Sequence, residues 1–130
     1  MFETVDSMMA GDEASRALGI ELVSRAEGRA VARMTVRADM VNGHATAHGG
    51  LIFSLADTAF ACACNSWGPV TVAAAAEIVF CRPARLGDVL TAEAAVRSRF
   101  GRSGVYDVTV RRGDEVIAEF RGRSQEVRSP

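Results

Sequence analysis

Residues 42–66 read NGHATAHGGLIFSLADTAFACACNS, a polar loop ending in His48-Gly49-Gly50 that opens into an apolar helical run carrying one acid, Asp57. A helix of Leu, Ile, Phe, Ala and Cys is expected to be buried. An ionised carboxylate there costs several kcal/mol unless it is paired or put to use. A free helix N-terminus and a buried acid together suit attack on a carbonyl: the amides hold developing negative charge, and the carboxylate attacks or activates water.

Gly49 and Asp57 are eight residues apart, so a helix rising about 1.5 Å per residue separates them by roughly 12 Å along its axis. An attacking group must come within about 3 Å of the carbon whose oxygen the amides hold. Leaning the Asp side chain back toward the N-terminus closes only part of that gap. If both residues are catalytic, a second chain supplies one of them. Two such helices packed antiparallel place Asp57 of one beside the Gly49 end of the other, giving two equivalent sites across an isologous interface.

The elements that position these residues fit in a single domain, since 130 residues are enough for one core and too few for two ordinary domains. Nearly half the residues are apolar, the formal net charge is -1 and no charge block stands out. Neither a nucleic-acid partner nor a membrane surface is expected. All fifteen basic residues are arginine, a side chain whose fork suits phosphate groups. No apolar stretch approaches the length of a membrane span, and the start MFETVDSMMAGDE lacks a secretory pattern, so a cytoplasmic location is expected. Cys62, Cys64 and Cys81 form neither a CxxC pair nor a cluster with histidines; they read as small core residues, with no metal and no cofactor expected.

Residues 1–19 form an N-terminal helical segment, with Phe2, Val5, Met8 and Met9 spaced for one face and Gly19 as its stop. Ile20–Arg25 and Ala30–Arg37 read as a hairpin around Glu27-Gly28, and residues 49–65 as the central helix, closed by Asn65-Ser66 and Gly68-Pro69. Four further strands follow, over Val70–Phe80, Asp88–Ser98, Val105–Arg112 and Val116–Gln125, separated by turn-forming stretches. The Arg128-Ser129-Pro130 tail reads as frayed. A helix apolar nearly all round, wrapped by about six mostly antiparallel strands, is an α+β layout. Its uncovered face needs a partner, in agreement with the spacing of Gly49 and Asp57.

Asn42, then His48-Gly49-Gly50, then Asp57 on the helix resembles the signature of the hotdog-fold acyl-CoA thioesterases, specifically the phenylacetic acid degradation (PaaI) type. FCRPARLGD from Phe80 to Asp88 and GVYD from Gly104 to Asp107 extend the likeness over nearly the whole chain. The resemblance implies a homo-oligomer, a dimer of dimers with shared sites, that hydrolyses aryl-acetyl-CoA to free acid and coenzyme A. It implies that the Gly49 amide binds the thioester oxygen and that Asp57 of the facing subunit supplies attack, directly or through water. Asn42 would orient water or substrate, and His48 would hold the loop or polarise the carbonyl. Gly50, Tyr106, Arg102 and Arg123 are further candidates for substrate contact, the arginines for the coenzyme A phosphates. Some relatives carry a hydroxyl on the strand after the helix; here Ala73 stands in that strand and Thr71 is a weak substitute. Alternative readings are a thioesterase of benzoyl or medium-chain preference and a non-catalytic acyl-CoA-binding protein. A hydratase of the same fold would need an Asp close before His44 or His48, and a DNA-binding sensor would need more N-terminal residues than the chain has.

Overall fold

The computed structural model describes residues 1–127; the Arg128-Ser129-Pro130 tail lies outside the described residues. The elements are α1 (Glu3–Ala10), α2 (Glu13–Ala17), β1 (Glu21–Ala26), β2 (Arg29–Thr35), a 3-10 turn (Ala38–Met40), α3 (Gly49–Cys64), β3 (Thr71–Phe80), β4 (Val89–Phe100), β5 (Ser103–Arg112) and β6 (Glu115–Glu126). The six strands form one sheet in the order β1-β2-β4-β5-β6-β3, with every neighbouring pair antiparallel. This is the α+β, hotdog arrangement that the resemblance implies.

Alternation explains which sheet face covers α3. Ala30, Ala32 and Met34 of β2, Leu90, Ala92 and Ala94 of β4, Val108 and Val110 of β5, and Ala118 and Phe120 of β6 are buried, while the residues between them are exposed or half-buried. The many alanines let the helix sit close to the strands. Register breaks at Leu22/Ser24, Ala73/Ala75, Val96/Ser98 and Val110/Arg111 bend the sheet around it. At the tightest approach a Cβ on Gly122 of β6 would lie 2.7 Å from the buried Phe60 ring. At the β1–β2 turn Gly28 has φ +70°, and its Cβ position is also crowded by Val96 and Trp67.

Two expectations are corrected. The N-terminal segment is two helices, because Gly11 closes α1 and Asp12 starts α2 by accepting from the Ser15 N–H at 2.9 Å. Cys81 is exposed and is not a core residue. It follows β3, an edge strand whose side chains from Val72 to Glu77 are all exposed. Cys62 and Cys64 are buried, which pushes both thiols up to about 12 and leaves them unreactive.

Candidate active site

The loop before α3 is built by Asn42. Its Oδ1 accepts from the His44 N–H at 2.8 Å and from the Thr46 N–H and hydroxyl, both at 3.2 Å, while its own N–H donates to Thr46 O at 2.8 Å. Ala45 at the loop tip has φ +61°, a strained conformation for a residue with a side chain, and these bonds hold it. His44 is exposed. The far end of the loop is fixed by Ala47 N–H donating to Ala84 O and His48 N–H donating to Met40 O, both at 2.7 Å. Asp88 in turn steadies the turn that carries Ala84, accepting from the Arg85 N–H at 2.8 Å and pairing with Arg112 at 2.7 Å. The Arg112 guanidinium holds the Asp88 carboxyl below the usual carboxylate range.

His48 is the N-cap of α3. Its Nδ1 accepts from the Gly50 N–H at 3.0 Å, so that nitrogen carries no proton in this geometry. The Gly50 amide is thereby engaged, and the Leu51 and Ile52 amides donate to His48 O. Gly49 N–H donates to nothing among the described residues and is the free donor of the first turn. Gly49 and Asn42 line one cleft of about 350 Å³ together with Ile52, Phe80, Cys81 and Arg82. The Phe80 ring rests on Gly49, where a Cβ would come within 2.9 Å of it.

Asp57 stands on the outer strip of α3. Gly50, Ser54, Asp57 and Ala61, spaced four, three and four residues apart, are exposed or half-buried, whereas Ile52, Leu55, Ala56, Ala59 and Phe60 face the core. Asp57 makes no hydrogen bond or ion pair among the described residues. Partial burial raises its pKa above the ordinary carboxylate value, and the nearby charge of Asp12 raises it further. Within one chain the carboxylate and the free amide belong to the same helix but lie about two turns apart, and Asp57 does not line the cleft.

The remaining candidates are dispersed. Tyr106 is 2 % exposed, stacked near Phe60, and its hydroxyl accepts from Trp67 Nε1 at 2.9 Å. Arg102 is exposed in the β4–β5 turn, and Arg123 lies on β6 beside Ala75 and Val105. Sequence reasoning did not single out Phe80, Cys81 and Arg82, although they open the FCRPARLGD stretch whose return to the α3 N-terminus makes them cleft residues. No group of three or more His, Cys, Asp or Glu residues among the described residues could hold a metal ion. No helix among them is long and apolar enough to cross a membrane.

Residues 44–119, which span the loop, α3 and most of the sheet, match the thioesterase superfamily. The chain belongs to that superfamily. It is 48 % identical over 127 residues to acyl-coenzyme A thioesterase PaaI of Escherichia coli strain K12, covering 97 % of this chain and 91 % of the relative. The structure of the E. coli PaaI protein from the phenylacetic acid degradation operon superposes with a TM-score of 0.94 at 47 % identity, over 98 % of this chain and 93 % of that one. A mutant of phenylacetic acid degradation protein PaaI from Thermus thermophilus gives a TM-score of 0.86 at 36 % identity, over 89 % and 100 % of the two chains. The thioesterase described here is a thioester hydrolase by that membership.

Proposed function

We propose that the protein hydrolyses aryl-acetyl-CoA, such as phenylacetyl-CoA or its ring-hydroxylated forms, to the free acid and coenzyme A in phenylacetate catabolism, with each active site shared by two copies of the chain. The observation that carries the reading is the layout of α3: a free amide and an unpaired carboxylate on one helix, too far apart to meet on one carbonyl. The names of the PaaI relatives support the acyl-CoA substrate and the phenylacetate setting.

In this mechanism the thioester oxygen sits at Gly49 N–H of one copy, where the helix end favours the charge that develops on it. Asp57 of the other copy, ionised, either attacks the carbonyl carbon or takes a proton from the water that does. The C–S bond then breaks and the sulfur leaves as coenzyme A thiolate, which is protonated; after direct attack the mixed anhydride left on Asp57 is hydrolysed by water to free acid and carboxylate, so either route consumes one water. Asn42, whose Oδ1 is tied into the loop, offers its NH2 to water or substrate, and His48 keeps Gly50 N–H engaged so that Gly49 alone receives the oxygen. Gly50 shapes the helix end by its lack of a side chain. Arg82 is the arginine that lines the cleft and suits a coenzyme A phosphate; Arg102 and Arg123 would meet a tail that crosses β6. Tyr106 would serve the acyl site indirectly, by packing beneath α3.

The second copy also answers the state of β3. This ten-residue edge strand leaves Val72, Val79 and Phe80 48 %, 63 % and 50 % exposed, and a long apolar edge of that kind invites pairing with another strand. Antiparallel pairing of two β3 strands would extend the sheet and lay two α3 helices side by side in opposite directions. We assign a dimer of dimers as the full assembly. Three unpaired cysteines suit a reducing compartment, and a cytoplasmic location follows from it. Steady-state hydrolysis of phenylacetyl, hydroxyphenylacetyl, benzoyl and straight-chain CoA esters tests the reading, with kcat/KM expected to be highest for the aryl-acetyl esters. A benzoyl or straight-chain preference would overturn the acyl assignment, and binding without turnover would overturn the enzyme.

A further inference from the structure

A second cavity, of about 550 Å³, lies between α1 and the start of β3, lined by Thr4, Ser7, Met8, Asn65, Val70 and Val72 among others. Its size suits a small organic group. The polar side chains around it are engaged with their own chain. Thr4 Oγ1 donates to Gly68 O at 2.5 Å, Asn65 Nδ2 donates to Ala61 O and Thr71 O, both at 2.9 Å, and Asn65 Oδ1 accepts from the Thr71 N–H at 2.9 Å. Thr71 Oγ1 donates to Pro69 O at 2.9 Å, and the N-terminal amine donates to Glu3 at 2.7 Å. Ser7 Oγ alone of these groups has no partner among the described residues. Apolar surface from Met8, Val70 and Val72 with one free hydroxyl receives a hydrophobic group and offers it one hydrogen bond.

This cavity and the Gly49 cleft stand at opposite ends of both α3 and β3: Asn65 follows the helix and Thr71 begins the strand, whereas Gly49 begins the helix and Phe80 ends the strand. The sixteen residues of α3 span about 24 Å, so one chain cannot bring both to one substrate. A twofold axis through the middle of β3 exchanges these ends. Pairing of the strand over its full length sets Thr71 opposite Phe80 of the second copy and Val72 opposite its Val79, with the strands about 5 Å apart. The cavity of one copy then abuts the Phe80 ring that rests on Gly49 of the other.

We propose that this cavity is the aryl pocket of the shared site. The copy that supplies Asp57 also receives the ring of the acyl group whose thioester oxygen lies at Gly49 of the other copy, with Met8 and Val72 against the ring and Ser7 Oγ bonded to a ring hydroxyl. The inference rests on the shared thioesterase site proposed above. It places part of the acyl selectivity on α1, outside the residues 44–119 that match the superfamily.

Ser7 is exposed on α1, so a larger side chain there fills the cavity without entering the core. The test mixes chains carrying Asp57→Ala with chains carrying Gly49→Pro, so that each heterodimer holds one site with both parts, and adds Ser7→Trp to one chain or the other. For phenylacetyl-CoA, kcat/KM should be about 10-fold or more lower with the tryptophan on the Gly49→Pro chain, which supplies Asp57, than with it on the Asp57→Ala chain, whose cavity faces the dead site. No recovery in the parent mixture despite verified subunit exchange overturns the shared site and the pocket with it. Recovery in the parent mixture with equal activities of the two Ser7→Trp mixtures, or with their order reversed, overturns the pocket alone. In homodimers, Ser7→Ala should lower the ratio of kcat/KM for the better of meta- and para-hydroxyphenylacetyl-CoA to that for phenylacetyl-CoA by about 3- to 10-fold, the scale of one hydrogen bond. An unchanged ratio overturns the Ser7 contact.

Discussion

Asp57 carries two opposing consequences. In the proposed reaction its carboxylate must be ionised to attack or to take a proton from water, yet burial and Asp12 hold its pKa above the ordinary carboxylate value. Between the unfolded value and that higher folded value the native state binds more protons than the unfolded chain, so stability falls as pH rises through the window and the ionised form costs stability at neutral pH. Asp57→Asn should therefore lose about 10²-fold or more in kcat, the scale of a lost acid-base group, while its melting temperature at pH 7 stays equal to or above wild type. Turnover assays beside thermal unfolding check both. Gly49→Pro probes the other half of the site. His48 has φ -62° and ψ 130°, a conformation suited to preceding proline, and the first helical position tolerates it. That variant also sets a Cβ 2.9 Å from the Phe80 ring, which is half exposed and must turn aside; it should keep its helix content by circular dichroism and lose about 10²- to 10³-fold in kcat, as removal of one oxyanion donor does. The places of Gly49 at the first turn of α3 and of Asp57 two turns on were legible in the chain from the apolar run and the helix rise. What His48 and Asn42 do was not, since the partners of Nδ1 and Oδ1 depend on how residues 42–48 fold back on themselves.

At the scale of elements, the helix and sheet depend on close approach. Gly122→Ala would push a methyl group into the Phe60 ring from 2.7 Å, and overpacking of that kind costs about 1–3 kcal/mol. Chemical denaturation should show the lower midpoint with an unchanged slope. The central helix could be read from its long apolar run, and β4, β5 and β6 from alternation between wet and dry positions, whereas β3 is exposed along most of its length and was marked only by its β-prone run between turns. The N-terminal break was harder, since Phe2, Val5, Met8 and Met9 keep helical spacing up to Gly11, and a local cap at Asp12 decides the matter. Cys81 misled for a related reason: a run such as TVAAAAEIVF looks the same whether the strand lies inside a sheet or at its edge. The order β1-β2-β4-β5-β6-β3, which puts β3 outermost, is a property of the assembled sheet.

For the whole molecule, the proposed shared site makes a prediction that neither half can make alone. Chains carrying Asp57→Ala and chains carrying Gly49→Pro should each be inactive, and after subunit exchange their heterodimers should contain one site with both parts intact. In an equimolar random mixture about half the dimers would be mixed, so the pool should recover about a quarter of the wild-type activity by the pairing arithmetic of a twofold interface. No recovery despite exchange verified by mass spectrometry would mean that the two groups work within one chain.

The outer strip of α3 has a kinetic corollary as well. If the site is shared as proposed, neither end of that helix can finish a turnover without a neighbour's, and the rate per chain should depend on how crowded the solution is. On dilution toward the dissociation constant of the pair, catalysis should fade with second-order dependence on enzyme while every remaining monomer is still folded, so that assembly itself acts as the on-switch.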